Sequence, residues 1–115
     1  MESKGELKKL KYKILGHTWT IKFVAKDDPK IDIEAYDKQC YGLCIGQRRE
    51  IYIGEYGGDL VKRTLTHELT HAYVNDIMHV EDKRYDGEFI AEFVSNYAEQ
   101  IVEDAKKILK LKGEK

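Results

Sequence analysis

The sequence has almost no net charge, a single proline, two cysteines and no apolar run of membrane-spanning length. Each shortage removes a class of protein. Twenty Lys and Arg against 21 Asp and Glu leave −1 at neutral pH, so overall charge argues against a nucleic-acid partner. The two cysteines, Cys40 and Cys44, allow at most one disulfide and fit a reducing compartment. No stretch approaches the roughly 20 apolar residues that span a bilayer, and Met-Glu-Ser-Lys-Gly-Glu at the start holds no apolar signal core. The expectation is a cytoplasmic protein with no membrane contact. Internal repeats and low-complexity segments are also missing.

What is present suits one small domain. The 115 residues are 42% hydrophobic, enough for a modest core and too few for a second domain. Residues 1–115 are therefore read as a single unit, with 1–10 as a flexible leader and 112–115 as a flexible tail. Lysines gather at both ends, at 4, 8, 9, 11 and 13 and again at 106, 107, 110, 112 and 115. The second group complements the dipole at a helix C-terminus, and the first is read as solvated.

Hydrophobic periodicity divides the chain. Residues 11–15 and 18–24 alternate as two strands around Gly16-His17, and 40–45 with 50–54 make a second hairpin around Gly46-Gln47-Arg48-Arg49. Residues 25–38, polar and holding Pro29, read as a loop. From Asp59, a plausible N-cap, to Asn75 there is no proline or glycine. Val61, Leu65, Leu69, Ala72 and Tyr73 fall on one helical stripe there. After a charged connector, 79–87, a second helical pattern runs from about Glu88 to Leu111. Ile90, Val94, Tyr97, Ile101, Ala105 and Ile108 are placed on its buried side. The fold class expected is α+β: a small antiparallel sheet packed on both helices.

The chemistry sits in His67-Glu68-Leu69-Thr70-His71. Histidines four apart on a helix lie one above the other, so both imidazoles reach one metal ion. The glutamate beside the first can take a proton from an attacking water. Chance produces His-Glu-x-x-His in roughly 1% of shuffles of this composition, so the helix around it matters to the argument. A hydrolytic zinc site needs three protein ligands and one open position. The second helix offers Glu88, Glu92 and Glu99, with Asp86 just before it. Glu92, 21 positions after His71 (92 − 71), is the choice, and Glu88 one turn earlier is the alternative. The metzincin pattern is excluded, because Val74 and Ile77 occupy the positions where it has glycine and histidine.

Glu92 opens Glu92-Phe-Val-Ser95-Asn96, an E-x-x-S-N run. His-Glu-x-x-His followed by a helix with that run resembles the gluzincin pattern. Glu-Leu-Thr-His-Ala-Tyr with Glu-Phe-Val-Ser-Asn-Tyr-Ala resembles the ImmA/IrrE type of metallopeptidase of phages and mobile elements, over about residues 64–101. The resemblance implies one zinc ion on His67, His71 and Glu92, with Glu68 as general base. It implies that Asn96 orients a ligand histidine, where members often carry aspartate. It further implies a protein or peptide substrate, of which transcriptional repressors are the extrapolated example.

The function expected is therefore zinc-dependent hydrolysis of peptide bonds in a cytoplasmic protein. A strand beside the metal helix, 50–54 or its partner 40–45, is the expected edge for pairing with extended substrate. Tyr73, Tyr85 and Tyr97 are read mainly as packing residues, one of which, if near the metal, could donate to a developing oxyanion; the sequence does not select which. Cys40 and Cys44 are read as packing residues, and His17 as a turn residue. The alternative is a non-catalytic zincin-like module that binds a protein partner; a DNA-associated regulator using the lysine-rich ends is a third reading.

Overall fold

The computed structural model describes residues 6–31, 41–80 and 86–113. In chain order these form β1 (Glu6–Ile14), β2 (His17–Val24), β3 (Gly42–Ile45), a 3-10 turn (Gly46–Arg48), β4 (Glu50–Gly54), α1 (Gly58–Val80) and α2 (Gly87–Lys112). Residues 32–40 and 81–85, with Cys40 and Tyr85, lie outside the described residues.

Both hairpins form where the alternation predicts them. Leu15 and Gly16 turn the first with φ of 49° and 83°, the positive pair that a two-residue turn of matching twist requires. β1 begins at Glu6, so residues 6–10 are paired strand and not leader. At the other end Lys112 is still helical, 2.7 Å from Glu55 and 4.8 Å above the Phe23 ring. The flexible-tail reading does not hold for that residue.

The sheet corrects the antiparallel expectation. Its strand order is β1-β2-β4-β3, with antiparallel pairing inside each hairpin and parallel pairing of β2 with β4. The two hairpins join through their second strands, β2 and β4, which run in the same direction. Alternation within a strand reports its faces and is silent about its neighbour. β4 is thus internal, and β3 is the edge on that side among the described residues.

Trp19, Ile21, Phe23, Ile51 and Ile53 point from β2 and β4 to one face. Val61, Leu65, Leu69, Ala72 and Tyr73 of α1 close over them as the helical stripe predicts. On the other face Tyr52, Val24 and Ile31 make a smaller cluster. Asp59 lies in the first turn of α1, favourable to the helix dipole, although the helix already begins at Gly58. In α2, Asp86 caps the first turn by accepting from the Phe89 N–H at 2.8 Å. Gly113, at φ 104°, closes the end through its N–H to Leu109 and Lys110.

The buried stripe of α2 differs from the sequence reading. Phe89, Phe93, Ile101, Ala105 and Ile108 are buried, whereas Ile90 and Val94 are exposed by 54% and 53%. Two stripes, starting at 89 and at 90, both satisfy the helical period; the one with the larger rings removes more apolar surface from water. Among the described residues no helix is long and apolar enough to cross a membrane.

Candidate metal centre

α1 carries His67, Glu68 and His71 away from its buried stripe to different degrees. The two imidazoles lie one turn apart with ring centroids 4.9 Å from each other and planes at 74°. Both residues are exposed. Glu68 is buried, with 7% exposure, because its position on the helix turns toward β3. There it shares a cleft of about 380 Å³ with His71, Asn75, Gly42, Leu43, Cys44 and Gly46.

Burial controls the protonation of this cluster. Loss of solvent pushes the Glu68 carboxyl up to about 7, since the charged form is the one that desolvation penalises. The same cause, followed by the nearby His67 charge, lowers His71. The Cys44 thiol is raised to about 12 by burial, then by the carboxylates of Glu68 and Asp76. Cys44 is a free thiol that packs against the main core, in line with the packing role read from the sequence.

Two glycines let β3 approach α1. A Cβ on Gly42 would stand 2.7 Å from Thr64 Cγ2 and 3.1 Å from Glu68 Cγ, and one on Gly46 would meet Asn75 Oδ1 at 2.1 Å. Asn75 Nδ2 also lies 3.5 Å from the Gly46 carbonyl. The edge strand therefore rests on the helix turn that carries the motif.

The rest of the expected ligand set is dispersed. Glu88, Glu92, Asn96 and Glu99 are exposed on α2, and the Asp86 carboxylate is engaged as helix cap. Glu92 is two residues from both Ile90 and Val94, so the helix period turns it to the opposite side of α2 from them. Ile90 and Val94 are the residues that line a groove with Thr66, Thr70 and Val74 of α1. Among the described residues, no three His, Cys, Asp or Glu side chains are gathered for a metal. The two histidines suit a divalent metal as part of a donor set, and among the described residues the remainder of that set is not assembled.

Two buried carboxylates were missed in the sequence. Asp76, 2% exposed, accepts from Trp19 Nε1 at 2.9 Å and Arg49 Nε at 3.1 Å. His17 Nδ1 lies 3.4 Å from it, so His17 faces α1 from the start of β2. Asp104 accepts from Tyr12 at 2.6 Å, from Gln100 at 2.9 Å and from Tyr73. Tyr73 is thereby committed to the core and is no oxyanion donor, while Tyr97 packs on Tyr73 and Phe93. The signal was available: Asp76 continues the Leu69 stripe seven residues on, and Asp104 sits between Ile101 and Ile108. A carboxylate on an apolar stripe needs partners when it is buried.

Compared with known proteins, the chain matches no family model, no curated protein and no solved structure.

Proposed function

We propose that this chain is a zinc-dependent peptidase that acts on an extended segment of a cytoplasmic protein. The observation that carries this reading is the place of Glu68. It is buried in the cleft between α1 and the edge strand β3, beside His71 and one residue from His67. A purely structural metal site has no use for a carboxylate so placed.

In this reading His67 and His71 hold the metal through their exposed imidazoles. Zinc, when bound, polarises the scissile carbonyl and makes the attacking water more acidic. Glu68 takes that water's proton and hands it to the leaving amine nitrogen. Among the described residues β3 is the outer strand, and in this reading an extended substrate lies along it with its side chains entering the cleft below. The third ligand is assigned to Glu92 on the E-x-x-S-N run alone. A repressor as substrate rests on the family resemblance alone.

A second reading has its own support. Because the described residues gather no third donor, the same cleft and edge strand also suit a non-catalytic module that binds a partner protein. Zinc-loaded protein incubated with a diverse peptide library, with cleavage followed by mass spectrometry, separates the two. Under the first reading Glu68→Gln keeps its zinc and loses cleavage, and His67→Ala loses both. Full cleavage by Glu68→Gln contradicts the assigned base, and no cleavage by the zinc-loaded wild type favours the binding module.

A further inference from the structure

The outer face of the β1–β2 hairpin carries a row of lysines that the whole-chain charge hides. Residues 6–24 hold five lysines and one glutamate, a net +4, in a chain whose total is −1. Everything else therefore carries −5. Strand alternation sorts the lysines. Leu10, Tyr12 and Ile14 turn toward the core under the helices, so Lys9, Lys11 and Lys13 point the other way, and all three are exposed. Across β2 they stand opposite Lys22, Thr20 and Thr18. Lys11 Nζ donates to Thr20 Oγ1 at 3.2 Å, and Lys22 Nζ donates to the Tyr52 hydroxyl at 3.4 Å. These contacts place the side chains on one face of the sheet.

Protection of a sheet edge does not account for this arrangement. Lysines along an edge strand discourage pairing with another chain, but that role needs cations on β1 alone. Here Lys9 stands directly across from Lys22 of the internal strand β2, and like charges so placed cost stability. Glu50 answers Lys22 at 3.8 Å; among the described residues no ion pair reaches Lys9, Lys11 or Lys13. Successive lysines of the row are about 6.8 Å apart, and the row spans about 14 Å. A face of this sign and length is complementary to a line of phosphates. It gives bases nothing to stack on, because its aromatic side chain, Tyr52, is only 4% exposed, and binders of single strands rely on such platforms. Ammonium groups meet phosphates as point charges and read no base. We propose that the outer face of the β1–β2 hairpin holds the phosphate backbone of double-stranded DNA without regard to sequence. The face lies across the sheet from α1, so the proposal is independent of any metal at His67 and His71.

Fluorescence anisotropy of a labelled mixed-sequence duplex, titrated with the full chain at several salt concentrations, tests it. Three phosphate contacts predict a slope of about −2.7 in log K against log salt, a loss of roughly 40-fold between about 50 and 200 mM. Lys9→Gln, Lys11→Gln and Lys13→Gln should each reduce that slope by about 0.9. The triple variant should lose most of the binding with unchanged circular dichroism, and the single variants keep the test decisive if the triple folds poorly. Replacing Lys106, Lys107 and Lys110 of α2 by Gln changes net charge equally and should leave the slope as it was. No binding by about 100 µM wild type at about 50 mM salt overturns the proposal. So does binding that both triple variants weaken equally, or tighter binding of a single strand or of polyglutamate than of the duplex.

Discussion

Gly42 lies directly over Glu68: a Cβ added to the glycine would come within 3.1 Å of the glutamate Cγ, and within 2.9 Å of the Tyr52 carbonyl oxygen. The edge strand and the motif helix are thus spaced by the absence of one methyl group. Gly42→Ala should push β3 away from α1, because the nearest opposing atom is the packed Thr64 methyl carbon of α1 and the Tyr52 carbonyl of β4 blocks relief within the sheet. Overpacking of this kind costs about 1–3 kcal/mol, visible as a lower urea midpoint. Peptide cleavage should fall further than the stability loss explains. An unchanged midpoint would show that the strand is not held at this distance.

The buried Glu68 carboxyl makes stability depend on pH. Its value is raised from 4.5 to about 7 on folding, so the native state binds the proton more tightly. That contribution is fully present below pH 4.5 and is lost as pH rises through about 7. For metal-free protein the loss is at most about 3 kcal/mol. Glu68→Gln, which cannot ionise, should remove this part of the slope. Urea unfolding of both proteins at acid and mildly alkaline pH measures it. Parallel slopes would mean that Glu68 is solvated.

Asp76 ties β2 and the turn before β4 to α1, through Trp19 with the nearby His17 and through Arg49. Asp76→Ala leaves a buried indole N–H and a half-buried guanidinium unpaired, at a cost of about 3–5 kcal/mol. Asp76→Asn keeps the shape and should recover part of that. Trp19 fluorescence should report the change, since the indole loses its acceptor. A loss below 1 kcal/mol in Asp76→Ala, by the same urea method, would assign the cluster a surface role.

Much of this was legible from residue order. The α1 stripe, both hairpins and the motif are local patterns, and each is where alternation or helical spacing puts it. What could not be read depends on partners distant in sequence. The β2–β4 pairing is parallel because of how two hairpins meet, and no residue within either strand encodes it. In α2 the competing stripes at Phe89 and Ile90 differ only in what the sheet and α1 offer them. The motif histidines and Glu68 were legible because helix geometry alone brings them together.

Zinc content after exhaustive dialysis tests the central claim most directly. The wild-type chain should retain about one zinc per chain, and so should Glu68→Gln. His67→Ala and His71→Ala should retain none. Glu92→Ala in the same series should lower affinity roughly 10- to 100-fold or more if Glu92 is the third ligand. Stoichiometric zinc in a protein lacking both histidines, or none in the wild type, would contradict the account.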